Sequence, residues 1–374
     1  MIVMGLMSGT SCDGCDVSIV EIEEGRPKLL FFYSKEYPEE LRKRIRRCMD
    51  RKKGTVDLIT QVNFEIGHFF GEVAKEAMVK SGITPHFIAS HGQTIYHIPR
   101  PDQNKGEKTK STFQIGEAAC IVEKTGIPVI SDFRVQDVAA GGDGAPLVPM
   151  ADFIMFREEE ISVAIHNIGG ISNLTYIPKG ANLEDVIAFD TGPGNVLINQ
   201  LTRELFDMEY DPEGKIAREG KIHMEIVNKL LEHPYFNLNP PKSTGPEEFN
   251  IDLLREYINR VPGKDLLASV TLFTAKSIAM AYKRYVIPLG LDEILVAGGG
   301  AYNRTLIEWI KAELKGIPVY TFEEKGLNSK ARESMAFAIL GYLAWNKKPN
   351  NLPQVTGARH PVIMGKISFP YSSR

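Results

Sequence analysis

Two glycine-centred turns, each between predicted strands and lying about half the chain apart, constrain the fold more than any other feature. The first, MSGTSCDGCD at residues 7–16, follows the apolar segment Met1–Leu6 and precedes an alternating segment, residues 16–22. The second, NIGGISN at residues 167–173, also lies between two apolar segments. Because a glycine-rich turn between two such segments predicts a β-hairpin, the repeat predicts a duplicated α/β architecture with a cleft between its halves.

The first turn has the composition of an anion-binding loop. Gly9 and Gly14 allow the backbone to approach a ligand, and successive amides in such a turn can surround a phosphate. Ser8, Thr10 and Ser11 add hydroxyl donors. This is not a Walker loop, because no Gly-Lys-Ser/Thr follows. A surface hairpin rich in turn residues is the alternative interpretation.

The same turn contains a CxxC spacing, Cys12 and Cys15, that could indicate zinc or redox chemistry. A zinc site needs a second pair of ligands, and neither Cys48 nor Cys120 has another ligand nearby. A redox motif should begin a helix, whereas this one lies between two strands. Four cysteines in a chain of this length fit a reduced compartment, so we expect a cytoplasmic protein.

Composition excludes several classes of partner. The 374 residues are 43% hydrophobic and carry a net charge of -3, as expected for a soluble globular protein of two domains. This balance gives no reason to expect nucleic acid or an anionic membrane surface as a partner. No stretch is long and apolar enough to span a bilayer.

Two further strands are predicted to end in polar residues. Residues 87–90 lead to His91 and Gln93, and residues 186–189 lead to Asp190. Open α/β sheets place their ligands at the carboxyl ends of strands, so we expect both ends to belong to a site. Alternatively, His91 is satisfied within the fold, and Asp190 caps the helix predicted to begin near Pro193.

Three loops complete the pattern. The glycines at 298–300 lie between a strand and a helix, where they permit flat approach of a ligand. Residues 139–146 are too rich in glycine for regular structure and form the predicted passage between domains. In the loop 239–246, Lys242 could hold a phosphate, although an exposed lysine is the simpler expectation.

Together these features resemble the actin, hexokinase and Hsp70 ATPase superfamily, in which two ribonuclease H-like domains enclose an interdomain cleft. Within it, the chain is similar to the anhydro-N-acetylmuramic acid kinase family. The matching segments, in chain order, are MSGTSCDGCD, SHGQT, FQIGEAA, SDFRVQD, GGDGAPLVP, NIGGISN, FDTGPGN, PPKSTG, AGGGAYN and VTGAR. One departure is Asp143, where the family pattern predicts glutamine.

The resemblance implies a division into a first domain, 1–134, on which 355–374 packs, and a second domain, 135–354, carrying the adenosine loop. It implies a kinase that uses ATP and magnesium to convert 1,6-anhydro-N-acetylmuramic acid and water to N-acetylmuramic acid 6-phosphate in cell-wall sugar recycling. Asp190 would activate the water that opens the 1,6-anhydro bridge, and the protein would be a homodimer.

The resemblance also assigns binding residues, while the magnesium ligands stay open. The positions implied to bind the nucleotide are Gly9, Thr10, Ser11, Cys12, Asp13, Gly14, Cys15, Asp16, Gly169, Gly170, Gly298, Gly299, Gly300 and Asn303. The positions implied to hold the sugar are His91, Gln93, Arg134 and Glu333. Arg134 suits the lactyl carboxylate, although an ion pair with Asp132 or Asp137 is possible. Glu333 could instead only complement a helix dipole.

Two other functions on the same fold are alternatives. An actin- or chaperone-like ATPase would carry an appended segment for peptide binding or polymerisation, and the sequence contains none that we recognise. A phosphohydrolase would need no sugar pocket, and the segments SHGQT and SDFRVQD argue against it.

Overall fold

A computed structural model describes residues 1–371. The chain forms two compact units, one made of Met1–Met155 together with the chain from Lys330 onward, the other of Phe156–Ser329. The strands are β1 (Ile2–Ser8), β2 (Gly14–Glu23), β3 (Arg26–Glu36), β4 (Phe87–Ile98), β5 (Ser111–Ile115), β6 (Val129–Ser131), β7 (Val163–Ile168), β8 (Ile171–Ile177), β9 (Ile187–Pro193), β10 (Glu293–Ala297), β11 (Val319–Thr321) and β12 (Lys366–Ser368). The α-helices are α1 (Glu39–Met49), α2 (Val56–Ser81), α3 (Ala118–Thr125), α4 (Phe133–Ala139), α5 (Val148–Phe156), α6 (Val196–Phe206), α7 (Lys215–Glu219), α8 (Met224–Leu231), α9 (Gly263–Ala281), α10 (Arg304–Glu313), α11 (Arg332–Trp345) and α12 (Pro353–Thr356).

The first unit contains a mixed sheet in the order β12-β6-β4-β1-β2-β3, with β5 added to β4. β1, β2 and β3 form the predicted antiparallel meander, and β4 lies parallel to β1. Alternate apolar residues of β1 and β2 pack against α1, α2 and α3, where Leu6, Val17 and Phe70 are fully buried. This packing gives the unit its own hydrophobic core.

The second unit repeats this arrangement. Its sheet has the order β11-β10-β7-β8-β9, in which β7, β8 and β9 form an antiparallel meander and β10 and β11 run parallel to β7. A meander followed by two parallel strands on the side of its first strand is therefore present twice. This confirms the duplicated α/β architecture predicted from the two glycine turns.

The units divide at different positions from the predicted domain boundaries at 134/135 and 354/355. The reason is helix α11, which packs directly on β1, β2 and β4 of the first unit. Its backbone comes so close that a Cβ atom on Gly5 would lie 1.8 Å from the Ser334 carbonyl oxygen. At the C-terminus β12 pairs with β6, and residues 372–374 of the segment predicted to pack there lie outside the described residues.

Two strands extend further than the sequence predicted. β4 continues past His91 to Ile98 because β5 pairs with it from Gln93 onward, beyond the last residue paired with β6. β9 continues to Pro193, which pairs with Ile171, so Asp190 lies inside a strand and α6 begins only at Val196. The predicted start of that helix at Pro193 is therefore wrong. Among the described residues, no helix has both the length and the apolar character needed to cross a bilayer.

Candidate functional site

The turn between β1 and β2 presents an open backbone. Thr10, Ser11 and Asp13 are exposed, and the Cys12 amide donates to the Gly9 carbonyl oxygen at 3.1 Å, closing the turn. Among the described residues, a Cβ atom on Gly9 would find only the Ser11 hydroxyl within 4 Å, at 3.8 Å. The backbone at Gly9 therefore leaves room for a ligand, as the predicted phosphate turn requires.

Other residues of this turn face the protein interior. Cys12 and Cys15 are buried in the hydrophobic core as free thiols, and burial raises the pKa of both. Only their backbone atoms could therefore contact a nucleotide. Gly14 is required by strand pairing, because a Cβ atom there would lie 2.2 Å from the Lys35 carbonyl oxygen. Within residues 1–371, no group of three or more His, Cys, Asp or Glu side chains is arranged to hold a metal ion.

The Gln93 side chain supports the turn between β1 and β2 through hydrogen bonds. Its Oε1 accepts a hydrogen bond from the Ser8 hydroxyl at 2.7 Å, and its Nε2 donates to the Gly9 carbonyl oxygen at 3.1 Å. The Tyr37 hydroxyl in turn donates to the Ser8 hydroxyl at 3.0 Å. Since Gln93 is fully buried, its amide positions the turn through these bonds.

His91, which is buried, and Arg134, which is partly exposed, form a hydrogen-bonded pair beside the turn. Arg134 Nε donates to His91 Nε2 at 3.0 Å, so this nitrogen must be unprotonated and Nδ1 donates to the Gly92 carbonyl oxygen at 2.9 Å. Burial, followed by the charge of Arg134, lowers the pKa of His91 to about 3. His91 is therefore a neutral acceptor that fixes the orientation of the guanidinium.

The predicted ion pair of Arg134 with Asp132 or Asp137 does not form among the described residues. Asp132 pairs with Lys366 at 3.0 Å. Arg134 instead donates from Nη1 to the Gly144 carbonyl oxygen at 2.6 Å, and Asp137 accepts from the Gly144 amide at 2.8 Å. The glycine-rich loop is thus held from both sides while the guanidinium has no carboxylate partner in the described structure.

The departure from the family pattern at Asp143 has a local explanation. Lys110 Nζ lies 2.6 Å from the Asp143 carboxylate and also donates to the Gly141 carbonyl oxygen at 2.9 Å. The negative charge of Asp143 is therefore balanced by a lysine from the preceding surface loop. Both side chains are about one-third exposed, so this pair contributes little to stability.

Two carboxyl groups, Glu333 and Asp16, lie where burial raises their pKa values. For Glu333 the charge of Asp16 adds to the effect of burial, whereas for Asp16 a hydrogen bond from Ser34 opposes it. The charge of the neighbouring Arg332 opposes the rise in the pKa of Glu333, but Arg332 also forms a buried two-point pair with Asp152, at 3.0 and 2.5 Å. The sequence contained no motif that indicated the pair of Arg332 and Asp152.

In the second unit, Asp190 is held by three hydrogen bonds from outside its sheet. Its amide donates to the Lys242 carbonyl oxygen at 3.0 Å, and its carbonyl accepts from the Tyr235 hydroxyl at 2.5 Å. The Thr244 amide donates to Asp190 Oδ2 at 2.9 Å. Because β9 is an edge strand of its sheet, these groups occupy the edge that no other strand of the described chain covers. The helix-cap alternative is wrong, since Asn195 takes that position in α6.

The glycines after β10 have different roles. A Cβ atom on Gly298, where φ is +85°, would lie 2.6 Å from Asn167 Oδ1, and one on Gly300 would lie 2.2 Å from Ile168 Cγ2. Close packing therefore requires both glycines. A Cβ atom on Gly299 would meet only Asn195 Nδ2, at 3.7 Å, so the backbone at Gly299 is the open part of this loop.

In the second glycine turn, too, one glycine serves the local structure and another is open to a ligand. Gly169 closes the turn by donating from its amide to the Ile171 carbonyl oxygen at 3.2 Å. Gly170 is exposed, and a Cβ atom there would have no neighbour within 4 Å among residues 1–371. Asn303 caps α10, since its side chain accepts from the Leu306 amide at 3.0 Å. Thus Gly170 is the candidate contact, whereas the Asn303 side chain supports the helix.

Lys242 is buried, contrary to the expectation of an exposed lysine. Its side chain is only 7% exposed, and its Nζ lies 4.5 Å from the ring centroid of Tyr235 and 5.6 Å from that of Tyr285. Burial and then the charge of Arg284 lower the pKa of Lys242 to about 8. The segment PPKSTG was the signal for this residue, but nothing in that segment indicates the two aromatic rings that Lys242 faces.

Comparison with known proteins identifies one family. The family model described as anhydro-N-acetylmuramic acid kinase matches residues 1–370. The anhydro-N-acetylmuramic acid kinase of Caldanaerobacter subterraneus subsp. tengcongensis is 44% identical, with 98% of this chain and 97% of that relative covered. The corresponding protein of Clostridioides difficile is 44% identical over 98% of both chains, and that of Bacillus cereus strain G9842 is 41% identical over 99% of this chain and 100% of the relative.

Proposed function

Because the chain belongs to the anhydro-N-acetylmuramic acid kinase family, we propose that it is an ATP-dependent kinase of cell-wall sugar recycling. It converts 1,6-anhydro-N-acetylmuramic acid and water to N-acetylmuramic acid 6-phosphate. The observation that carries this proposal is Asp190, which lies in the family segment FDTGPGN with its carboxylate oriented by the Thr244 amide at 2.9 Å.

Asp190 is the general base of the proposed reaction. Water attacks the anomeric carbon and gives a proton to the Asp190 carboxylate, while the bond between that carbon and O6 breaks. O6 takes the γ-phosphoryl group and ADP leaves, so no separate acid is needed at O6. The hydrogen bond from Thr244 holds one carboxylate oxygen in place, which reduces the entropic cost of aligning the base.

The nucleotide is held by the parts of the glycine turns that have room for it. Gly9, Gly170 and Gly299 have open space where a side chain would lie, and Thr10 and Ser11 add exposed hydroxyl groups. Phosphoryl transfer depends chiefly on positioning and charge neutralisation, which backbone amides and magnesium supply.

Magnesium would be bound together with the phosphates of ATP. In the described part of the chain no three acidic or histidine side chains form a ready metal site, which fits an ion held by phosphates and water with one or two carboxylates. Asp13, which is exposed in the first turn, is a candidate carboxylate. The metal would neutralise charge that develops on the transferred group.

The sugar is bound by Arg134 and the residues around it. A guanidinium pairs bidentately with a carboxylate, and that of Arg134 has no such partner among residues 1–371. The lactyl carboxylate of the sugar would supply it. His91 keeps the guanidinium oriented, and Glu333, whose pKa is raised by burial, offers a carboxyl group to the sugar hydroxyls.

The cellular setting follows from the same family. The four cysteines are free thiols, as a reduced compartment would keep them, so we place the enzyme in the cytoplasm. A homodimer is the assembly that the family resemblance suggests. Size-exclusion chromatography with light scattering would test the homodimer directly.

The decisive experiment is turnover of 1,6-anhydro-N-acetylmuramic acid with ATP and magnesium in ¹⁸O-labelled water. Mass spectrometry should find the label at the anomeric hydroxyl of a 6-phosphate, and unlabelled product incubated in the same water corrects for exchange. Asp190→Asn should abolish turnover while ATP still binds, whereas Asp252→Asn, a change at an exposed aspartate of the same unit, should not. ATP hydrolysis that is indifferent to the sugar would instead support an ATPase or phosphohydrolase.

A further inference from the structure

Lys242 is a buried cation without an acidic partner among the described residues. Its Nζ donates one long hydrogen bond, 3.4 Å, to the Tyr235 carbonyl oxygen and otherwise faces the rings of Tyr235 and Tyr285. Burying an ammonium group costs free energy that aromatic faces recover only in part. Stability alone therefore does not explain a buried ammonium group at this position, and its contacts indicate another role.

The contacts of Lys242 are connected to Asp190 by hydrogen bonds. The Tyr235 ring beneath the ammonium donates its hydroxyl to the Asp190 carbonyl oxygen at 2.5 Å. The Asp190 amide donates to the backbone of Lys242 at 3.0 Å, and two residues later the Thr244 amide holds Asp190 Oδ2 at 2.9 Å. A shift of the Tyr235 ring or of the 242–244 segment would therefore move the donor that orients this carboxylate.

We propose that Lys242 is a positioning residue. Its ammonium group, held between Tyr235 and Tyr285, fixes the 242–244 segment, whose Thr244 amide orients the Asp190 carboxylate. The role rests on the proposed function, in which Asp190 activates water. Lys242 acts through Tyr235 and Thr244, and it need not touch the substrate.

The charge on Lys242 makes this arrangement sensitive to pH. The ionisable groups around it are Tyr235 on the short 3₁₀ turn Pro234–Asn237, Arg284 and Tyr285 after α9, and Asp190 on β9. Burial first and Arg284 second bring the pKa of Lys242 to about 8. The ammonium is therefore present below pH 8, and kcat should decline as the pH rises through that value.

The test compares Lys242→Met, Lys242→Arg and the control Lys283→Met, which removes an exposed charge from the same region. Lys242→Met should lower kcat roughly ten- to a hundredfold, the scale of a misplaced catalytic group, with the KM for ATP unchanged. Its thermal midpoint should be equal to or above that of the wild type, because a buried cation has been removed. Lys242→Arg should restore much of kcat and shift its alkaline decline upward.

Two results would overturn the proposal. One is a Lys242→Met enzyme with wild-type kcat and an unchanged alkaline decline; the other is activity lost only in proportion to the folded fraction. If Lys242→Met does not fold, the pH profile of Lys242→Arg decides alone. The side-chain carboxyl resonance of Asp190, which Lys242→Met should shift and Lys283→Met should not, tests the positioning even if the wild type fails to phosphorylate the sugar.

Discussion

The buried histidine of the first unit should make that unit sensitive to mild acid. His91 is only 3% exposed, and burial beside Arg134 lowers its pKa to about 3. The unfolded chain takes up a proton near pH 6.5, whereas the folded unit resists protonation until the pH is far lower. Below pH 6.5 the unfolded state therefore binds more protons, and stability falls as the pH falls.

The size of this effect follows from the two pKa values. A pKa of about 3 in the folded state against roughly 6.5 in the unfolded state corresponds to roughly 5 kcal/mol when integrated fully. Between pH 7 and pH 5, the same linkage removes about 2 kcal/mol of unfolding free energy. His91→Gln keeps an acceptor for Arg134 and cannot take up the proton, so it should lose this part of the pH dependence.

The two tryptophans allow a clean measurement. Trp345 stacks on Phe87 in the first unit, with ring centroids 4.8 Å apart, and Trp309 lies in the second. In a Trp309→Phe background, urea unfolding followed by fluorescence therefore reports the unit that contains His91. Titrations at pH 7, 6 and 5 would compare this background with His91→Gln and with the exposed control His360→Gln.

The comparison isolates His91 from other groups. Burial and Arg134 also lower the pKa of His97, to about 4, but His97 is present in every variant and cancels in the difference. A His91→Gln variant that lost stability between pH 7 and pH 5 as steeply as its background would show that His91 does not cause the pH dependence. A His360→Gln variant without this slope would show the same.

Three further changes test the packing described above. Asp152→Asn, which breaks a buried two-point pair with Arg332, should cost about 3 kcal/mol or more in unfolding free energy, measured by urea titration. Gly5→Ala should destabilise the first unit by roughly 1–3 kcal/mol or more, and unchanged stability would contradict the close helix contact. Gly170→Ala should leave the melting temperature unchanged but raise the KM for ATP, whereas Gly298→Ala should lower the melting temperature by calorimetry, because a Cβ would clash at φ +85°.

The duplicated architecture could be predicted because its signal is local. Each hairpin is encoded by two apolar segments and the turn between them, so β1, β2, β7 and β8 were recognisable without any tertiary information. The ordered set of short motifs likewise led to a family that the comparisons confirm. Asp190 was selected from its motif, although its place inside β9 was not foreseen.

What the sequence did not reveal depends on contacts between distant residues. Nothing near Arg332 indicates that Asp152 lies within 2.5 Å of it, and nothing near Lys242 indicates the ring of Tyr285. The compact units divide at other positions than the predicted domains, since helix periodicity shows that α11 has an apolar face but not which sheet that face covers. The role of a glycine cannot be predicted from the sequence either, because glycine occurs both in open loops and where close packing excludes a side chain. Gly299 and Gly300 are neighbouring examples of the two cases.

The return of the chain to the first unit has a consequence for synthesis on the ribosome. β1 leaves the ribosome before the second unit, Phe156–Ser329, whereas the helix α11 that covers β1 is made only after that unit. That second unit is one continuous stretch and can complete its fold as soon as it emerges. The nascent N-terminal sheet must meanwhile wait with one face bare, including the groove at Gly5 that later receives Ser334. Holdase chaperones should therefore engage ribosome-bound chains until α11 has emerged, and truncation before residue 330 should prolong that engagement.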